Sequence, residues 1–218
     1  MPIMSVIAGR REFIAVSCVL LLTGGRLAAE DKPTAKGEVV SLFDGKTLEG
    51  WKSTNFGGEG EVLVEEGRIV LEMGNDLTGI TTTRDVPKTN YEISLEAMRV
   101  EGGDFFCGLT FPVKDKPCSL IVGGWGGTVV GLSSINGSDA SDNETTSLKS
   151  FKKGQWYKIR VRVTDDKIAA WIDDDQVVDM PLADRELSVR SEVDLSRPLG
   201  ISSWRTEAAL RNIQFRRL

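Results

Sequence analysis

A chain of 218 residues with 40% apolar and 27% charged side chains can bury one sizeable core, and nothing in its length calls for a second domain. The formal charge is −5, and about −7 once the net +2 of the N-terminal leader is set aside, which argues against nucleic acid or another polyanion as partner.

Residues 1–29 read as an export signal. A basic Arg10-Arg11 pair precedes an apolar run from Phe13 to Leu22, then come Gly24 and Gly25, and Leu27-Ala28-Ala29 forms the cleavage end, with the cut expected after Ala29. The run from Gly9 to Ile14 resembles a twin-arginine signal, and Arg26 beyond the apolar core suits that route. The usual Ser or Thr ahead of the arginines is missing, so Sec export stays open. Cys18 lies inside the apolar run and reads as a spare leader cysteine rather than a lipid anchor. The run is too short for a membrane span, so the expected product is a single domain, residues 30–218, in the periplasm or outside the cell.

The mature chain is patterned at period two. Leu42 and Phe43 form an apolar edge, Asp44-Gly45 supplies turn chemistry, and Trp51 re-enters a sheet. Glu65-Glu66-Gly67 joins Val62–Val64 to Arg68–Glu72 as a hairpin. Tyr91, Ile93, Leu95 and Ala97 alternate with Glu92, Ser94 and Glu96, as a strand with one buried face requires. Phe105–Phe111 and Cys118–Val122 are strand-like, and the segment from Pro112 to Pro117 between them is loop-like. In an oxidising compartment Cys107 and Cys118 are then expected to staple a hairpin as a disulfide, the competing reading being two buried free thiols.

Further along, Gly123-Gly124-Trp125-Gly126-Gly127 frees the backbone around one indole, which can stack on a sugar face or pack at a strand crossing. The loop from Asn136 to Glu144 offers Asp139, Asp142 and Glu144 as oxygen ligands for calcium, against the reading of a solvated loop. Tyr157, Ile159, Val161 and Val163 repeat the alternation, and Asp173-Asp174-Asp175 turns Ile168–Ile172 into Gln176–Met180. Ala183–Val193 has room for a short turn of helix, and a last strand surrounds Asn212–Phe215. Many short strands with closely spaced turns predict an all-β, two-sheet sandwich.

The run from Ser41 to Lys52 resembles the opening of the 3-keto-disaccharide hydrolase domain family. So do Val64–Val70, Gly154–Ile159, Ala170–Asp174 and the path from Pro198–Ile201 to Leu210–Ile213, which together span nearly all of the mature chain. The resemblance implies a concanavalin A-like jelly roll of two antiparallel sheets. It also implies cleavage of glycosides oxidised at C3, where the ketone acidifies the neighbouring C–H bond and permits elimination, followed by hydration. Such chemistry needs a base, an acid for the leaving oxygen, and a cation or donor at the developing enolate.

The polar positions depart from the family. Gly108-Leu109-Thr110-Phe111 runs into Pro112 where an arginine is common, Gly127–Ser134 lacks the usual carboxylates, and Trp204 stands where a histidine is usual. The chain contains no histidine at all, and no catalytic residue is carried over. From this chain's own residues a general base is expected from Asp104 or Glu96, against the reading of water-facing strand carboxylates. Trp125 and Trp204 are expected to line one concave, sugar-facing region with Asp104 and Arg205 as polar contacts. Three functions remain open: turnover of 3-keto-glycosides, saturable glycan binding, or a structural module. The expected partner is a carbohydrate or glycoside, not nucleic acid; no cofactor is required, and calcium or another divalent cation is left open as an addition.

Overall fold

The computed structural model describes Met1 and residues 37–218, so the leader and its cleavage point after Ala29 lie outside the described residues. Fifteen strands follow in chain order. The first five are β1 (Val39–Ser41), β2 (Trp51–Ser53), β3 (Val62–Glu65), β4 (Arg68–Leu71) and β5 (Leu77–Thr82). Next come β6 (Tyr91–Gly102), β7 (Cys107–Val113), β8 (Lys116–Gly124), β9 (Val129–Ser133) and β10 (Ser147–Leu148). The last are β11 (Trp156–Val163), β12 (Lys167–Ile172), β13 (Asp175–Pro181), β14 (Gly200–Trp204) and β15 (Thr206–Arg217). Among the described residues one 3₁₀ turn, Ser191–Ser196, precedes β14 and overlaps the end of the Ala183–Val193 segment read as having room for a turn of helix.

These strands form two antiparallel sheets, a jelly-roll sandwich. The larger runs β13-β12-β11-β6-β15-β4-β3, with β1 also paired to β15, and the smaller runs β10-β9-β8-β7-β14-β5-β2. Consecutive strands pair as hairpins at β3–β4, β7–β8, β8–β9, β11–β12 and β12–β13, and the turns expected at Glu65–Gly67 and Asp173–Asp175 fall at β3–β4 and β12–β13. The opening motif is structural. Asp44 Oδ1 accepts the backbone N–H of Lys46 and of Thr47 at 2.8 Å, Gly45 takes φ +78°, and the Trp51 indole donates to the Leu42 carbonyl at 2.7 Å.

The core lies between the sheets, filled from both sides by the alternation. Tyr91, Ile93, Leu95 and Ala97 from β6 and Tyr157, Ile159, Val161 and Val163 from β11 meet Leu109, Phe111, Leu120, Val122 and Leu132 of the smaller sheet, all buried. Each such side chain contributes about 1.5–3 kcal/mol of transfer free energy. Phe106, Phe151 and Tyr157 close one end as an aromatic trio, edge-to-face at Phe151 and tilted between Phe106 and Tyr157, with centroid separations of 5.0–6.0 Å.

The expected disulfide is absent. The β7–β8 ladder runs through both prolines, Pro112 facing Pro117, and turns tightly at Lys114-Asp115 instead of looping. In that register Cys107 lies opposite Val122 and Cys118 opposite Phe111. An offset of four residues separates the two cysteines by about 13 Å along the strands, well past the reach of a disulfide. Both are buried free thiols, and burial pushes each up to about 12.

Candidate functional site

Strand β6 sends a fifth side chain inward after Tyr91, Ile93, Leu95 and Ala97, and that residue is Arg99, only 5% exposed. Its guanidinium lies 5.2 Å from the Phe106 ring centroid, and Nη2 is 3.0–3.2 Å from the carbonyls of Asp104, Gly123 and Gly127. Nε has no partner, and burial holds the group below its usual pKa while Asp104 and Tyr157 pull it back. Glycine is required at 123 because a Cβ there would stand 2.5 Å from Arg99 Nη2, and Gly123 and Gly127 take φ +77° and +106°. The glycine-rich run is thus wound around a buried cation.

Trp125 sits at the crest of this loop with φ +46°, a strained conformation for a bulky residue, and is 42% exposed. Asp104 fastens the same loop from the side. Its Oδ2 accepts the Gly126 N–H at 3.1 Å and its Oδ1 the Phe105 N–H at 2.8 Å, while its own N–H donates to Thr206 Oγ1. Phe105 accepts at its carbonyl from the Trp204 N–H and tilts against the Trp204 ring at 6.5 Å.

These residues wall a cavity of about 240 Å³ on the outer face of the smaller sheet. Trp125, Trp204, Phe105 and Ile121 supply the apolar wall, and Asp104 with the buried hydroxyls of Ser119 and Ser133 adds polar groups. The opposite rim comes from Arg190, Glu192 and Val193, at the start of the 3₁₀ turn. Arg190 pairs with both Asp139 and Glu192, and its hydrogen bond holds the Glu192 carboxyl below the usual carboxylate range. The rest of the face is filled. A Cβ at Gly200 would meet the Ser196 carbonyl at 2.5 Å, and one at Gly131 the Ala140 carbonyl at 3.0 Å, so these glycines admit two chain segments directly onto the sheet.

The model of the 3-keto-alpha-glucoside-1,2-lyase-like domain family matches residues 38–216. The chain belongs to that family. No curated protein matches it. Among solved structures, a candidate glycosyl hydrolase from Parabacteroides distasonis is similar at 14% identity and a TM-score of 0.53, covering 83% of this chain and 94% of that one. The apo Crh5 transglycosylase reaches 12% identity and 0.54, over 84% and 85%, and Crh5 in complex with NAG 13% and 0.51, over 82% and 85%. At these identities the likeness concerns the fold.

Within this lyase-like domain the structure brings Trp125, Trp204 and Asp104 to one cavity and leaves Arg205 just outside it. Arg205 is exposed, pairs with Asp76 at 2.6 Å and lies 5.5 Å from the Trp204 ring, so it braces that indole from behind. Glu96 is in the wrong sheet. It sits in β6 of the larger sheet, where Arg211 and Asn212 donate to it at 2.7–2.8 Å; burial opposes its ionisation, those bonds outweigh it, and its pKa is lowered. It cannot serve as base for a ligand in this cavity.

The three carboxylates expected to bind calcium in the 136–144 loop do not converge in this structure. Asp139 is taken by Arg190, Glu144 is held by two N–H groups of Arg185, and Asp142 joins neither. Among the described residues no group of three or more Asp, Glu, Cys or His is placed to hold a metal. The loop is instead one of the two segments seated on the sheet, tied down by the Asn143 amide donating to the carbonyls of Leu132 and Asp139 at 2.7 Å. Sequence reasoning missed Phe105, Arg190, Glu192 and Arg99. Only Arg99 carried a local signal, a cation at the next inward position of an otherwise apolar strand face.

Proposed function

We propose that this domain binds a carbohydrate, one sugar ring entering the cavity and stacking on Trp125 or Trp204 while Asp104, Arg190 and Glu192 meet its hydroxyls. The supporting observation is the convergence of three aromatic rings with charged groups of both signs on one concavity. At about 240 Å³ it falls below the ~300–1,000 Å³ of drug-sized pockets, which suits a single ring better than a chain. Both carboxylates are already engaged, Asp104 by two backbone N–H groups and Glu192 by Arg190. Neither is without a partner, and among the described residues each carboxylate with a displaced pKa, Glu192 in this cavity included, is displaced downward. Binding therefore fits better than acid–base chemistry.

Cleavage of 3-keto-glycosides is the second reading, favoured by family membership across nearly the whole described chain. One experiment separates the two. The mature protein is titrated calorimetrically with glucosides and their 3-keto derivatives, with and without divalent cations, and the mixtures are then analysed for products. Saturable binding without product is expected, and Trp125→Ala or Trp204→Ala should each weaken it by about 1–3 kcal/mol. Product release by the wild type would replace binding with lyase activity, and neither binding nor product would leave a structural module. Export to the periplasm or beyond belongs to the same reading, and N-terminal sequencing of the exported protein, expected to begin at Glu30, tests it.

A further inference from the structure

The middle of the outer face of the larger sheet carries a charge pattern opposite to that of the chain as a whole. Cross-strand pairing lays it out in rows: Arg162, Glu92 and Arg216 in one, Arg160, Ser94 and Gln214 in the next, then Lys158, Glu96 and Arg211. Glu92, its side chain 10% exposed, accepts from three guanidinium groups, Arg162 at 2.8 Å, Arg216 at 2.9 Å and Arg160 at 3.4 Å. One carboxylate cannot neutralise three cations. Adding Lys158 and the Arg211–Glu96 pair, five cations face two carboxylates on β11, β6 and β15. With Asp179 and its partner Lys167, and Asp173 beside Lys158, six cations face four carboxylates, an excess of two positive charges on a protein of net charge −5.

The cations are also held in place. Arg160 lies 4.0 Å over the Trp171 ring with Arg162 at 5.5 Å, and Arg211 lies 4.0 Å over Trp156. Stacking fixes the guanidinium planes and lowers the entropy lost on pairing with an anion. Yet 29–39% of each arginine side chain remains exposed. The whole-chain charge conceals this face, because averaging over the molecule cancels what the sheet segregates.

We propose that this face is a second binding site, for a polysaccharide bearing carboxylate or sulfate groups, whose anions pair with Arg160, Arg162 and Arg216. Guanidinium forks match carboxylate and sulfate geometry. The excess is too small and the surrounding field too acidic for nucleic acid, whose affinity rests on roughly 6–10 phosphate contacts. A polymer with charges spaced along neutral rings touches the patch while leaving the acidic surroundings unneutralised. The site is independent of the cavity, being on the other sheet.

The test is affinity electrophoresis and calorimetry of the mature protein with polygalacturonate, dextran sulfate, neutral dextran and duplex DNA, at low and physiological salt. Expected are binding to one or both acidic polymers and none to neutral dextran, with affinity falling as salt rises. Trp125→Ala should leave this binding unchanged, and Arg160→Gln combined with Arg216→Gln should weaken it about tenfold or more. Glu92→Gln, which removes the competing carboxylate, should tighten it. The proposal is overturned by failure of both acidic polymers to bind, by equal binding of neutral dextran, by tighter binding of DNA, or by a folded double arginine variant that binds as the wild type does. If the double variant does not fold, the polymer comparison on the wild type decides alone.

Discussion

Replacing Arg99 with methionine tests whether a buried cation holds the cavity's most exposed aromatic in place. The apolar stem of Arg99 has a near-isostere in methionine, so packing on Phe106 and Phe151 is largely kept and the charge is what disappears. The two hydrogens of Nη2 are shared among three carbonyls, and hydrogen bonds from a charged donor are worth about 1.5–3 kcal/mol each, so the gross loss is about 3–6 kcal/mol. Against this stands the recovered cost of burying a guanidinium whose Nε is unpartnered, together with water reaching the freed carbonyls at the loop's exposed side. The expected net is about 2–4 kcal/mol, or a melting temperature lower by about 5–15 °C. Chemical denaturation gives the first quantity and calorimetry the second. With its anchor gone, the strained φ of Trp125 should relax, so the variant's near-ultraviolet circular dichroism and glycan affinity should approach those of Trp125→Ala. A loss below about 1 kcal/mol with an unaltered tryptophan signature would refute the anchoring argument.

Three further outcomes are expected. Thiol labelling of the denatured, unreduced mature protein should find two free cysteines, while the folded protein labels slowly because Cys107 and Cys118 are buried and both thiols lie at about 12; one bridge and no free thiols would contradict the hairpin register. Glu96 is held below its usual value near 4.5, so the stability it contributes is present above that pH and lost as pH falls through its folded pKa. Acid titration of stability should therefore be shallower in Glu96→Gln, and identical slopes would remove Glu96 from the account. Chelation should leave the melting temperature unchanged, whereas Asn143→Ala, which frees the loop from the Leu132 and Asp139 carbonyls, should lower stability by about 1–3 kcal/mol; a drop on chelation reversed by calcium would restore the metal.

Strand alternation was legible because burial on one face imposes it, and the parity of β6 already places Glu92, Ser94 and Glu96 on the outer side. Which sheet that side belongs to is not a local property, and so Glu96 was offered for a site it cannot reach. The disulfide failed on register. In any hairpin turning near Lys114-Asp115, Cys107 lies several residues out from the turn on one arm while Cys118 lies close to it on the other, so counting outward already parts them. The meeting of Trp125, Trp204 and Asp104 was legible only through the resemblance to a family, since no local periodicity connects β14 with the loop after β8. Arg190 and Glu192 gave no signal, because a rim made by an irregular turn has no repeat to read.

The place of the cavity has its physical origin in how the smaller sheet is covered. Its outer face is made mostly of small residues, Gly200, Thr110, Ser119 and Ser133 in one cross-strand row and Gly79, Ser202, Gly108 and Gly131 in the next, where Ile121 is the exception. Small residues there let backbone approach backbone, and the 3₁₀ turn and the Asn143-tethered loop use that room at Gly200 and Gly131. A sheet face covered in this way has its middle occupied by the chain's own segments. What stays open is the end near β8 and β14, and the groups that reach it come from a loop wound on Arg99, from Asp104 beside it, and from Trp204 backed by Arg205. The position of the aromatic-walled cavity is therefore a consequence of this packing, and it follows from where the chain places glycine and serine.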